Sequence, residues 1–439
     1  MPVVRVLAGL PMILLALAAA CGSRALSPPP VCAATSAPSA LRFPIGRHGA
    51  CLVDASGAPV WLQGEAAWSL IARLADADLE RYLADRQARG FNAILVNLIE
   101  HEFADHPPND AAGNAPFLAP GDFTRPNEAY FAHVDRVLAR AAAHGMVVLL
   151  APAYLGYHGG DEGWYGEVRK AGPAAMHAYG RFLGARYRDT PNVIWVEGGD
   201  TAPMQASDEV DALVQGIRET DAAHLHTAHS TRQASALDDY ARPWLGLNTT
   251  YSDCDSHPDK LLADATRERS IPTMFIEGTY ENEGATIACT ISQAYRTLLS
   301  GAAGHVFGNR PIWLFDRGWQ AALDSPGSRA MQVLAALVAS RDLRGLVPDL
   351  DGSIVQAEGG RRARPIAAAT ARDLVLAFVE AGPRLVRVVP RSAPAIASWF
   401  DPQTGAITRA ASVPAGAPLA LRAPQGGPWL LIVEPATAR

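Results

Sequence analysis

Several large classes of protein are excluded by what this chain does not have. No run of roughly 20 apolar residues escapes interruption by charge or proline, so no segment reads as a comfortable membrane span. Basic residues are in the minority: 38 Lys and Arg stand against 44 Asp and Glu, a net charge of -6. With no basic stripe and no interleaving of cations with aromatics, nucleic acid is not expected as a partner. The 5 cysteines contain no Cys-x-x-Cys pair and the 12 histidines no ligand-like spacing, so no metal site is expected. The turn after the first apolar strand, Gly64-Glu65-Ala66-Ala67, lacks the glycine pattern that cradles a dinucleotide phosphate. No cofactor is therefore expected.

What is present is a globular composition, 49% apolar and 19% charged over 439 residues, with 33 prolines and 38 glycines. That length accommodates one large domain and a small one, and the proline and glycine content suits a loop-rich enzyme more than a helical bundle. Residues 1–21 read as an export signal. Arg5 supplies the charged start, Leu7 to Leu17 the apolar part, broken by Pro11, and Ala18-Ala19-Ala20 the small residues before cleavage. Ala18-Ala19-Ala20-Cys21-Gly22-Ser23 also resembles a bacterial lipoprotein box, which would make Cys21 a lipid-anchor site and leave the protein periplasmic or outer-membrane-anchored; plain secretion is the alternative. Residues 22–42 read as a tether rich in Pro, Ala and Ser. Setting Cys21 aside leaves Cys32, Cys51, Cys254 and Cys289, enough for two disulfides in an oxidising compartment. Cys32–Cys51 with Cys254–Cys289 is the most local of three possible pairings.

From residue 43 to 346 apolar runs alternate with helical segments. Strands are expected at Pro59 to Glu65, Phe91 to Asn97, Met146 to Ala151, Val193 onward, Leu225 to His229, Trp244 to Tyr251, Thr273 to Glu277 and His305 to Asn309. Eight strand-and-helix units predict a (β/α)8 barrel. Two long loops, from Glu100 to about Arg125 and from Tyr154 to Gly172, stand out as functional by their length. From 347 to 439 short alternating runs separated by turn residues predict an antiparallel β-sandwich.

The chemistry is expected where apolar strands end on carboxylates. Asn192-Val193-Ile194-Trp195-Val196-Glu197-Gly198-Gly199-Asp200 closes the fourth strand, and Pro272-Thr273-Met274-Phe275-Ile276-Glu277-Gly278 closes the seventh. Catalytic groups of such barrels gather at the C-terminal strand tips. Two carboxyls across one mouth can serve a glycosidic bond, one protonating the leaving oxygen and one acting at the anomeric carbon. Asp200 and Glu277 are the candidates; the competing reading is two unrelated helix-capping acids. Glu197, three residues earlier, is a rival to Asp200. Trp68, Asn97, His229, Tyr251, Tyr280, His305 and Trp313 lie at or just past strand tips and are candidate sugar contacts, with plain packing the alternative for each aromatic and histidine. The cluster His158, Asp161 and Glu162 lacks the spacing of a calcium loop and reads as a solvated lid.

Six stretches in order carry a family resemblance: Trp61-Leu62-Gln63-Gly64-Glu65-Ala66-Ala67-Trp68, Gly90-Phe91-Asn92, Pro126-Asn127-Glu128-Ala129-Tyr130-Phe131, the run to Asp200, Glu277-Gly278-Thr279-Tyr280-Glu281, and Gly304-His305-Val306-Phe307-Gly308-Asn309 with Trp313. Together they resemble the apiosidase-like catalytic domain, formerly a domain of unknown function, which includes glycoside hydrolase family 140. The stretch Trp399-Phe400-Asp401-Pro402-Gln403-Thr404-Gly405 resembles the small C-terminal domain that commonly follows it under a collagen-binding label. The resemblance implies a barrel glycosidase with Asp200 as acid/base, Glu277 as nucleophile, Glu65 in the substrate-binding shell and a carbohydrate as partner. Glu65 stands where the family usually has Asp, and Gly278 where Pro is commoner, so the sugar-contacting shell has diverged. A non-catalytic carbohydrate- or matrix-binding protein on a degenerate barrel is the reading from another class.

Overall fold

The computed structural model describes residues 41–267, 271–343, 345–357, 366–369, 374–380, 385–389 and 392–436. The expected signal, most of the tether, Cys21 and Cys32 lie outside the described residues. The alternating segments fold as an eight-stranded parallel sheet: β1 (Leu62–Ala66), β2 (Ala93–Asn97), β3 (Val147–Ala151), β4 (Val193–Gly198), β5 (His226–His229), β6 (Asn248–Tyr251), β7 (Thr273–Glu277) and β8 (Gly304–Phe307). Their order is β5-β4-β3-β2-β1-β8-β7-β6, a nearly closed (β/α)8 barrel. The seam falls between β5 and β6. There Gly246 N–H donates to His226 O at 2.9 Å, Thr227 Oγ1 to Leu247 O at 2.7 Å, and Thr249 Oγ1 to Ala228 O, so threonine hydroxyls do part of the work of a ladder.

Each strand alternates between lumen and helix layer. Val147, Leu149, Ile194, Val196, Met274 and Val306 fill the interior, while Val148, Leu150, Val193, Trp195 and Phe307 pack under the helices. An N-terminal hairpin (Gly46–His48 with Cys51–Val53) contributes Ile45 and Leu52 to the interior cluster beside Leu62 and Leu247. Cys51 is disulfide-bonded.

The loop expected from Tyr154 to Gly172 turns helical earlier than its composition suggested. A helix runs Tyr165–Tyr187, and its break is confined to Gly172, at φ 76°, with Pro173 restarting it. Pro at the start of a helical segment sacrifices no internal hydrogen bond, so the Gly-Pro pair kinks the helix without ending it. The long loop after β2 is held by rings: Phe117 and Phe123 pack on Trp164 and Tyr179.

C-terminal strands Val347–Pro348, Ile366–Ala369, Val375–Val379, Ala395–Phe400, Ile407–Val413 and Trp429–Pro435 form one antiparallel sheet, and Val355–Ala357, Leu385–Val388 and Leu419–Arg422 a second. Their facing sides share a core of Val375, Val386, Trp399 and Leu431. The larger sheet's other side turns Leu376, Phe378, Leu430 and Ile432 into the barrel's outer layer, with Tyr295 stacked on Phe378 at 5.5 Å. Arg296 Nε bonds Glu380 at 2.7 Å beside it. The second module is thus bonded to the barrel helix Ile287–Leu299.

Alternation also disposes of Glu65. It faces outward from β1, fully buried, and pairs with Arg86 Nη1 at 2.8 Å while accepting from Tyr82 Oη at 2.9 Å. The resemblance placed it among sugar contacts; the structure places it in the helix layer, bracing the barrel against Asp76–Ala88. Burial favours its neutral form and raises its pKa, while the Arg86 charge opposes that shift. Removing one partner strands a buried charge. Arg86→Ala should therefore lose roughly 3–5 kcal/mol of stability in urea unfolding, and the double change Glu65→Gln, Arg86→Met should recover part of it.

Candidate active site

At the C-terminal end of the barrel a cavity of about 330 Å³ opens among Trp68, Asn97, Tyr154, Asp200, Tyr251, Glu277, Tyr280 and Trp313, with Phe103, Tyr157, Glu162, Arg232, Gly278, Thr279 and Glu283 around it. That volume is at the low end of the about 300–1,000 Å³ typical of small-molecule sites.

Local geometry explains how each carboxylate arrives. After β4 the backbone passes through Gly198 (φ 78°), Gly199 (φ 127°) and Asp200 (φ 49°), three left-handed residues in a row. A Cβ at Gly198 would lie 2.2 Å from Tyr240 Oη, and one at Gly199 2.3 Å from Tyr154 Cδ2, so both glycines are required. The turn lifts Asp200 into the mouth, where Tyr154 Oη donates to its Oδ2 at 2.7 Å and the buried Oδ1 lies 3.4 Å from His229 Nδ1. Glu197, the rival, faces outward and bonds His226 Nδ1 at 3.1 Å away from the cavity.

Glu277 would also face outward if β7 kept strict alternation, because Met274 and Ile276 point in. The ladder slips instead: Thr250 pairs with Phe275 and Tyr251 with Glu277, leaving one extra residue, Ile276, on β7. A bulge of this kind re-aims the following side chain, and Glu277 turns into the mouth.

Between the two carboxylates lies His229, 0% exposed. Its Nε2 is 2.7 Å from Glu277 Oε2, and its Nδ1 accepts the Asp200 backbone N–H at 3.0 Å. One atom from each of Asp200, His229 and Glu277 lies within 4.8 Å of the others. These three residue types can hold a metal, but here the Nδ1 lone pair is taken by the Asp200 N–H and Nε2 is directed at Glu277 Oε2. Burial, then the charge of Asp200, push Glu277 up to about 7, against the opposing bond from His229. Tyr280 adds a second bond to Glu277, and Trp68 Nε1 donates to Tyr280 Oη at 3.2 Å.

Of the residues singled out from sequence, Trp68, Asn97, Asp200, Tyr251, Glu277, Tyr280 and Trp313 line the cavity. His229 sits beneath it rather than in its wall. His305 does not reach it; on β8 it faces outward, buried and stacked on Phe275 at 5.6 Å. Cys254 and Cys289 are joined by a disulfide with Cα atoms 5.7 Å apart. Tyr154, Tyr157, Arg232 and Glu283 were not anticipated. Tyr154 stands just past β3, the same signal that picked out Trp68. Glu162 is no free lid residue: it lines the cavity and accepts the Tyr157 N–H at 2.5 Å.

The glycine requirement can be tested directly. Gly199→Ala should destabilise the protein by roughly 1–3 kcal/mol in thermal unfolding, because the added methyl must displace Tyr154, the partner of Asp200.

The model of the apiosidase-like catalytic domain family matches residues 47–344. No curated protein sequence matches the chain. Among solved structures, a glycoside hydrolase family 5 protein from Bacteroides vulgatus ATCC 8482 aligns at 22% identity over 90% of this chain and 93% of its own, TM-score 0.78. A second, described as a glycoside hydrolase, aligns at 22% identity over 92% and 99%, TM-score 0.79. These likenesses match the barrel and the β-rich module after it in one arrangement. With the family model spanning the barrel and its mouth, the chain belongs to the apiosidase-like catalytic domain family.

Proposed function

We propose that this family member is an exported retaining glycosidase in which Asp200 is the acid/base and Glu277 the nucleophile. The observation that carries the proposal is the pair itself, with carboxylate oxygens within 4.8 Å across a cavity walled by Trp68, Tyr154, Tyr251, Tyr280 and Trp313. Retaining enzymes hold their carboxyls about 5–5.5 Å apart, whereas inversion needs about 6.5–9.5 Å to admit a water. Aromatic walls suit the apolar faces of a sugar ring. The Cys254–Cys289 disulfide is in keeping with an oxidising compartment.

In the first step Asp200 gives its proton to the glycosidic oxygen while Glu277 attacks the anomeric carbon, so the bond to the leaving group breaks as a glycosyl ester forms. Water then attacks that carbon, Asp200 takes the water's proton, and Glu277 leaves as a carboxylate. Burial and then the charge of Asp200 raise Glu277 to about 7, so its attacking carboxylate form prevails above that value. Bonds from His229 and Tyr280 oppose the rise and favour the charged form.

Purified protein lacking residues 1–21, screened against plant cell-wall oligosaccharides, should release a sugar with retained anomeric configuration by NMR. Glycan binding without hydrolysis across the panel would favour a binding protein instead. Asp200→Asn and Glu277→Gln should each remove turnover by a factor of at least roughly 10³ with circular dichroism unchanged; full activity in either variant removes that residue's role. The pH profile has a definite sign. Because Glu277 is raised to about 7 and must be ionised to attack, kcat/KM should fall as pH drops through about 7.

A further inference from the structure

His229 makes no contact that the hydrolytic steps require of a sugar-binding residue, since at 0% exposure it cannot touch substrate. Yet it is bonded to both carboxylate-bearing segments. We propose that His229 is a positioning residue: as the neutral Nε2–H tautomer it clasps the turn that presents Asp200 and, with its other edge, holds Glu277 as a carboxylate. The proposal rests on the glycosidase reading for its kinetic consequences but not for its structural content.

The argument begins with the turn. Three consecutive left-handed residues, one of them an aspartate, form a conformation the chain does not adopt unaided. His229 supplies two consecutive restraints. Its carbonyl accepts Gly199 N–H at 3.0 Å and its Nδ1 accepts Asp200 N–H at 3.0 Å. An acceptor nitrogen carries no proton, so the single proton of the neutral ring is on Nε2, which faces Glu277 Oε2 at 2.7 Å. The ring cannot rotate out of this role. Trp68 meets it edge-on at 5.4 Å and Tyr251 packs at 5.2 Å.

The charged and titratable groups facing the ring are Asp200, Glu277 and Tyr251, with Tyr154 and Tyr280 one hydrogen bond further out and Arg232 three residues along the chain. Burial opposes a charge on His229, but the Asp200 and Glu277 carboxylates outweigh it and raise its pKa. Nδ1 also lies 3.4 Å from Asp200 Oδ1, but the shorter contact decides against a second proton there, because that proton would point at the Asp200 N–H 3.0 Å away. The same imidazole therefore fixes the backbone of the acid and the ionisation of the nucleophile, and it couples β5 to the tips of β4 and β7.

Two variants separate the two edges. His229→Asn keeps an acceptor near the Nδ1 position and loses the donor to Glu277; His229→Gln keeps a donor near the Nε2 position and releases the turn. Each should slow turnover roughly 10- to 100-fold, the worth of a hydrogen bond to a charged group. With a matched aryl and alkyl glycoside of the sugar the wild type releases, His229→Asn should slow both alike and move the acid limb upward, since a carboxylate that loses a donor holds its proton longer. His229→Gln should slow the alkyl glycoside more, because a poor leaving group needs Asp200's proton and an aryl group needs it less. Equal losses on both substrates with a wild-type pH profile in both variants, or full activity in either, overturn the proposal. Protein labelled with 15N-histidine gives a readout independent of turnover. At pH 7 the His229 signals should report a protonated Nε2 and a bare Nδ1; a proton on Nδ1, alone or together with one on Nε2, overturns the proposal even if no substrate is found. Wild type that hydrolyses no glycoside while showing the expected tautomer defeats the glycosidase reading and leaves the clasp standing.

Discussion

The constraint on which this protein depends is the two-sidedness of a strand in a parallel barrel. A residue on such a strand faces either the closed interior or the layer beneath the helices, and no third environment is available. Both sides are dry, so a polar side chain assigned to either must find a partner there. Glu65 and Glu197 face outward and are paired, with Arg86 and with His226. Asn97, His229 and Tyr251 face inward near the mouth, where the hydrophobic filling of Val196, Ile276 and Val306 gives way to polar groups. The rule thus accounts for the structural carboxylates, and those that meet in the cavity escape it.

The two carboxylates at the mouth each reach it by an exception to regular strand geometry. Asp200 is carried by three left-handed residues, and Glu277 by an inserted residue in β7. Both devices cost conformational free energy and persist only where surrounding contacts determine them. Those contacts converge on a few residues: Tyr154 and Tyr240 crowd the glycines, and His229 bonds both segments. The electrostatic consequence follows from the packing. Burial first, and then the charge of Asp200 held this close, push Glu277 up.

The C-terminal module contributes to this arrangement at a distance. Its larger sheet shares the outer hydrophobic layer with the helices Ile287–Leu299 and Pro326–Ala339, and Arg296 and Ser292 both bond Glu380 across the contact. The helix Ile287–Leu299 follows β7 and its loop, and Gln293 on it accepts the Thr279 N–H at 2.8 Å, two residues past Glu277. The sandwich therefore packs against the helix that holds the loop following Glu277.

Much of this was legible in the sequence because it depends on local pattern. Apolar runs alternating with helical segments marked all eight strands, and the position of Asp200 and Glu277 at strand tips marked the cavity they line. The observed period of two along each strand places Glu65, Glu197 and His305 outside the lumen, against the expectation of sugar contacts for Glu65 and His305, on the same rule that places His229 within it. Tertiary structure alone decided the rest. The bulge that turns Glu277 inward is a mismatch between two strands, so neither strand's own residues announce it. The partnership of Glu65 with Arg86, of Tyr154 with Asp200, and of His229 with both carboxylate-bearing segments joins residues from separate βα units. A chain specifies its elements through neighbours a few positions apart; which side chains meet at the mouth is settled only when the barrel closes and brings the strand tips together.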